Sequence, residues 1–146
     1  MEQNVSISAE LDERHRAANA AFVTRNILAY QDIFSPSLVY QRADGSLIDR
    51  GQLMRDVALQ FRNLSHAKSS YVRERLITAG DGVTETLVQT AEAQSTAFGI
   101  LHRLWTLNRR GDYTWSKSSG VWLIERVKIH SESVASAGWR IGRRHT

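Results

Sequence analysis

The chain has 146 residues, 42% of them hydrophobic and 23% charged, with one proline and no cysteine. That is enough sequence for one domain with a real core, and the missing thiols exclude disulfides, cysteine nucleophiles and every zinc site built on sulfur. The net charge of +4 is uneven: residues 1–102 carry ten Lys or Arg against twelve acids, and residues 103–146 carry nine against three.

That basic excess is spread over strand-like segments and a short tail, "GWRIGRRHT". It reads as solvated strand faces plus a basic end, so no nucleic-acid partner is expected. Five histidines scattered singly predict no metal site. No run approaches the ~18 apolar residues of a membrane span, and "MEQNVSISAELDERH" lacks the basic-then-apolar order of a secretory signal. A cytoplasmic protein with no membrane partner is expected.

Residues 8–25 read as an amphipathic helix. Ser8 is its cap, Glu10, Asp12 and Glu13 suit the positive end of the helix dipole, and Leu11, Ala18, Ala21, Phe22 and Ala29 recur on one side. Asn26 offers a fresh cap for a short second helix over 27–34, with Tyr30 and Phe34 four apart on one face and Pro36 as its stop. "SLVYQRA" is strand-like, Asp44-Gly45 is a two-residue hairpin signal, and "SLID" is the return strand. Asp49 followed by Gln52 resembles a capping box and opens a helix over 50–63, with Leu53, Val57 and Phe61 on one face.

The second half reads as long strands. "SSYVRERLITA" turns at Gly80-Asp81-Gly82 into "VTETLVQTAEAQST". Then come "FGILHRLWTLNRR", a bulge at Arg110-Gly111-Asp112, "YTWSKS", a turn near Ser119-Gly120, and "VWLIERVKIHSESV". Helices first and antiparallel strands after define an α+β class with the helices on one face of a bent sheet.

This order of elements, with Phe34, Tyr40, Asp44-Gly45, Trp115, Gly120 and Trp122, resembles the nuclear transport factor 2-like superfamily, and within it the SnoaL-like (polyketide-cyclase-like) group. The resemblance covers about residues 9–134 of a single domain, 1–146, with 135–146 as a basic tail. It implies a cone: three N-terminal helices packed on a strongly curved, mostly antiparallel sheet, an internal pocket, and a homodimer. Members include ketosteroid isomerases, scytalone dehydratase-like and epoxide hydrolase-like enzymes, polyketide cyclases and non-catalytic proteins, so the fold alone cannot choose a chemistry. The meander strands hold no Asp away from turns, which counts against the epoxide hydrolase and ketosteroid isomerase mechanisms.

The candidate catalytic residues are Tyr40 and His102 as acid or base and Arg42 as oxyanion stabiliser; Tyr40 and Arg42 alternate onto one strand face. His102, among apolar neighbours Ile100 and Leu104, reads more readily as a hydrogen-bonded structural histidine than as a base, and His130 as a solvated or dimer-contact residue. Tyr30, Phe34, Trp105 and Trp115 are candidate pocket walls, with Trp115 and Trp122 expected to stack across the last hairpin. Glu85 shares a face with Leu87, and Glu92 with Val88. Glu92 reads as half of an exposed salt bridge; turned inward it would need Arg73 or Arg103.

Two readings follow: a cofactor-free isomerase, dehydratase or cyclase that moves a proton on a small organic ligand, or a non-catalytic ligand-binding or dimerisation module. They differ in one observable, since the enzyme needs two convergent ionisable groups in its cavity. The homodimer is expected through the outer sheet face, because strands 83–107 and 120–130 are apolar on both alternations. A further expectation is that Trp139 packs near the pocket mouth; a weaker one is that the tail meets an acidic partner.

Overall fold

The structure is a computed structural model that describes residues 2–97, 101–137 and 140–141. Helix α1 spans Glu2–Thr24, α2 Ile27–Gln31 and α3 Arg50–Asn63; the strands are β1 Phe34–Gln41, β2 Leu47–Ile48, β3 Ser65–Ala79, β4 Gly82–Ala97, β5 Leu101–Ser118, β6 Val121–Ser136 and β7 Arg140–Ile141. Among the described residues they form one sheet in the order β2-β1-β6-β5-β4-β3, with β7 also on β5. Every pairing is antiparallel except β1 with β6. The α+β class, with three N-terminal helices against a curved, open, mostly antiparallel sheet, is as expected.

α1 begins before Ser8, because nothing in residues 2–7 breaks a helix. It ends where Arg25 takes a left-handed φ of 54° and the Asn26 amide closes onto the Ala21 carbonyl at 2.8 Å. Asn26 then caps α2 by accepting from the Ala29 amide. α2 stops at Gln31, three residues short of expectation, and Phe34 opens β1. Its ring still meets Tyr30, with centroids 5.4 Å apart. Pro36 therefore stops no helix. It lies between Phe34 and Val39, where the β1–β6 register shifts, a place where a residue without N–H costs the ladder nothing.

The Asp44-Gly45 turn is a three-residue loop rather than a two-residue one. The Arg42 amide donates to the Ser46 carbonyl at 2.9 Å, Asp44 accepts from the Ser46 amide, and Gly45 supplies the φ of 89° that such loops need. Asp49 caps α3 by accepting from the Gln52 amide at 2.8 Å.

Bulges bend the sheet around the helices. The one expected near Gly111 is present as a register shift between Arg110 and Gly111 against β6. A Cβ at Gly111 would stand 3.0 Å from both the Lys128 carbonyl and Ile129 Cδ1, a tight fit that glycine relieves. The core under the helices holds Leu11, Ile33, Leu38, Met54, Leu87, Trp115 and Val127. Trp115 and Trp122 do not stack: across the hairpin Trp115 pairs with Ile124 and Trp122 with Lys117. The Lys117 ammonium lies 5.4 Å from the Trp122 ring centre instead.

Past β6, Arg140 and Ile141 pair with His102 and Leu101, so the tail extends the ladder on β5. Trp139 and Ile100 lie outside the described residues. Among those described, no helix is long and apolar enough to cross a membrane.

Candidate active site

A cavity of about 1050 Å³ lies between the helices and the concave face of the sheet. At one end stands a pair the sequence reading did not single out. His15 follows Leu11 by one helical turn on the stripe that α1 buries, and only 8% of its surface is exposed. Its Nε2 lies 2.6 Å from Glu85 Oε2. Glu85 sits on β4 between Val83 and Leu87, with which it shares a face, and is 0% exposed.

A carboxylate so placed must be fully hydrogen-bonded. Besides His15, Glu85 accepts from Trp115 Nε1 at 2.7 Å and from Arg73 Nε at 2.8 Å. Burial pushes its carboxyl up, but the bonds and charges of His15 and Arg73 outweigh that and hold it below the usual glutamate value. Glu85 is thus an anion that orients its neighbours rather than a proton donor.

A further layer holds this group in place. Arg73 also donates to Asp12 Oδ1 at 2.8 Å, and the Tyr71 hydroxyl donates to the same oxygen at 2.5 Å. Tyr71 and Arg73 are two apart on β3 and so face the same way, while Asp12 and His15 are one turn apart on α1. Burial raises the Asp12 carboxyl, yet Tyr71 and Arg73 lower it further than burial raises it. The His15 ring is wedged between Tyr71, at a centroid distance of 4.3 Å, and the edge of Trp115 at 5.3 Å. With Nε2 held by the carboxylate, Nδ1 is the ring nitrogen left for another partner.

The cavity wall is also rich in phenols. Tyr30, Tyr40 and Tyr113 line it beside Arg109 and Glu132, and burial raises the pKa of each phenol, keeping all three protonated. Arg109 Nε lies 2.6 Å from Glu132 Oε2, and the Tyr113 hydroxyl donates to Gln89 Oε1 at 2.6 Å. Burial opposes the charge on Arg109, but its partners outweigh this and raise its pKa; the phenols being neutral, Glu132 is the one that counts near neutral pH.

Of the residues expected at the site, Tyr30, Phe34, Tyr40, Arg42 and Trp105 are on the cavity wall. Arg42 is bound to Asp56 at 2.5 Å, and its side chain is 41% exposed. Trp115 is fully buried behind His15 and contributes through Glu85 rather than as a wall. His102 is on β5 at the far end of the β4–β5 hairpin, its Nδ1 3.3 Å from Thr96 Oγ1, and is not among the lining residues. Glu92 pairs with Lys68 at 3.2 Å, and Arg73 goes to Glu85 instead. His130 bonds Asp112 at 2.8 Å. Two sequence signals pointed to the missed pair: a lone acid between apolar residues on one strand face, and a histidine on the apolar stripe of α1. Among the described residues no three His, Cys, Asp or Glu side chains converge to hold a metal ion.

Neither a protein-family model nor a curated protein matches this sequence. Solved structures do match. A scytalone dehydratase-like protein from Novosphingobium aromaticivorans aligns over 99% of both chains with a TM-score of 0.80 at 11% identity. A dehydratase-like protein of the NTF2-like family from Streptomyces avermitilis aligns over 84% of this chain and 94% of its own, with a TM-score of 0.69 at 11% identity. A type 2 hexachlorocyclohexane dehydrochlorinase (LinA) aligns over 96% and 91%, with a TM-score of 0.67 at 8% identity. The chain has the nuclear transport factor 2-like fold, helices on a curved sheet.

Proposed function

We propose that the protein is a cofactor-free dehydratase or isomerase that moves a proton on a small organic molecule held in the cavity. The observation that carries this reading is the 2.6 Å contact between His15 and a fully buried, ionised Glu85 at the cavity wall. A base needs a lone pair that reaches the substrate and a partner that stabilises the imidazolium formed; we assign those roles to Nδ1 of His15, which lines the cavity, and to Glu85. The dehydratase and dehydrochlorinase names among the similar structures support the same class of chemistry.

In the dehydratase form, His15 Nδ1 takes a proton from carbon next to a carbonyl. The C–H electron pair becomes a C=C bond as the charge moves onto the carbonyl oxygen. Tyr40 donates a hydrogen bond to that oxygen as the charge builds. When the charge returns, the C–O bond one carbon further breaks, and the leaving hydroxide takes the proton from His15 to depart as water. In the isomerase form the proton is returned to a different carbon. Arg42, held by Asp56 on the cavity wall, is a second group assigned to polarise an oxygen.

The test uses a panel of cyclic hydroxyketones in D2O, followed by NMR for deuterium entry and by mass for loss of water. Activity is expected in the wild type and should fall on the order of 10²–10⁴-fold in His15→Gln and Glu85→Gln. Ligand binding with no turnover, or turnover that survives both substitutions, would instead favour a non-catalytic binding module of the same fold.

A further inference from the structure

Three non-glycine residues among those described take a left-handed φ: Arg25, His66 and Ser119. Ser119 is accounted for by the two-residue turn it makes with Gly120 between β5 and β6. Arg25 and His66 instead line one surface cleft of about 610 Å³, which lies outside the internal cavity and shares a single lining residue, Glu92, with it. Both occupy positions where glycine is the unstrained choice. Arg25 closes α1, its amide donating to the Phe22 carbonyl and the Asn26 amide to that of Ala21, and glycine usually fills that place. His66 belongs to a bulge: Ser65 pairs with Gln94 and Lys68 with Glu92, so two residues of β3 stand against Ala93 alone.

A side chain kept at a strained position calls for a use of that side chain. Arg25 has part of one. Its Nη1 donates to the Leu64 carbonyl at 3.2 Å, which carries the guanidinium across to the start of β3, yet no acid pairs with it among the described residues. His66 is exposed and makes no hydrogen bond, ion pair or ring contact with any described residue. The rest of the cleft narrows what these two could hold. Lys68 lies 3.2 Å from Glu92, so those charges offset each other and Arg25 is left as the unpaired cation. Val23 and Leu104, 43% and 49% exposed, add apolar wall. A cationic ligand meets Arg25, a wholly apolar one leaves Arg25 and His66 unused, and a phosphate dianion brings a second charge toward Glu92. A carboxylate on a short apolar body suits all of them, since its two oxygens match the guanidinium fork and its body covers Val23 and Leu104.

We propose that this cleft is a second ligand site, for a small monocarboxylate with an apolar body, whose head is held by Arg25 and His66. The site is a matter of binding and is independent of the proton-transfer reading.

The probes are hexanoate, acetate and 1-hexanol, followed by the ring ¹H–¹³C signals of the histidines and the amide signals of Ala67 and Lys68. The His66 ring signal is the one absent from His66→Gly. Hexanoate should move it with a Kd on the order of 1 mM. Acetate, which lacks the body, and hexanol, which lacks the charge, should each bind about tenfold more weakly. Arg25→Gln should weaken hexanoate about tenfold. His66→Gly should weaken it too, read from the amide signals, while its Tm stays at or above that of wild type, because glycine relieves the left-handed backbone. A purely structural His66 would give the opposite, a lower Tm with hexanoate binding intact. If Arg25→Gln does not fold, His66→Gly carries the test. A His66 signal that ignores hexanoate, hexanol binding as tightly as hexanoate, or unchanged binding in a folded variant overturns the proposal. So do hexanoate shifts at His15 alone, which would put the ligand in the internal cavity.

Discussion

Arg73 donates to Glu85 through Nε and to Asp12 through Nη2, each at 2.8 Å, so one guanidinium joins the first helix to the fourth strand. Its side chain is 17% exposed and that of Glu85 is 0%, which places this interaction among those where losing one partner strands a buried charge. Arg73→Gln should therefore lower unfolding free energy by about 3 kcal/mol, measured by urea denaturation at neutral pH.

The acid limb of stability should move with it. The folded-state pKa of Glu85 is depressed below the ordinary 4.5, so its contribution is complete above the unfolded value and is lost as pH falls through the folded one. In Arg73→Gln the folded pKa rises, and acid unfolding should begin at higher pH than in wild type. Denaturation midpoints across pH 3–7 (roughly the carboxylate range) would show it; superimposable acid limbs would contradict the assignment.

Glu85 should also set which nitrogen of His15 holds the proton. With Nε2 at 2.6 Å from the carboxylate, neutral His15 is expected as the Nε2–H tautomer. Long-range ¹⁵N–¹H correlation spectra should show a bare Nδ1 in wild type. In Glu85→Ala the spectrum should show a mixture of tautomers. A protonated, neutral-form Nδ1 in wild type would remove His15 as a base of the kind described.

Gly111 is predicted to resist any side chain. A Cβ there meets Ile129 Cδ1 and the Lys128 carbonyl at 3.0 Å, and the backbone atom cannot rotate aside. Gly111→Ala should cost about 1–3 kcal/mol by overpacking, seen as a drop in Tm. A neutral effect would mean that β5 and β6 can part at the bulge without penalty.

A homodimer through the outer sheet face, proposed from the apolar alternation of the strands, carries its own test. Val72 stands opposite Val88 on β3 and β4, alternates with the inward Tyr71 and Arg73, and is 65% exposed. Light scattering at micromolar concentration should give a dimer mass, and Val72→Arg should shift it to monomer with an unchanged Tm of the fold. A monomer mass for wild type would end this proposal.

Local chemistry was legible in the sequence wherever a few adjacent residues decide the outcome. Asn26 and Asp49 cap their helices, Gly45 makes its turn, and Gly111 makes its bulge. The candidate pocket could be read in part for the same reason, since Tyr40 and Arg42 alternate on one short strand. The His15–Glu85 pair could not be placed that way, being 70 residues apart in sequence. The local signals, a histidine on the apolar stripe of α1 and an acid between Val83 and Leu87, say that each is buried but not that they meet. Only the docking of α1 onto β3 and β4 brings them together, and that depends on how far the bulges bend the sheet. His102 misled because apolar neighbours on a strand indicate burial of a face without saying which cavity, if any, that face meets.

The long sequence separation of His15 and Glu85 also bears on how the chain folds. Until α1 settles against the sheet, Glu85 is an anion on an otherwise apolar strand face with Arg73 as its remaining charged partner. Without the helix that carboxylate stays hydrated; docking α1 dries it, and the cost is offset because the helix brings His15 with it. The same contact that orients the base makes helix docking and sheet closure a single event, so a half-assembled cup holds neither a stable core nor a working site.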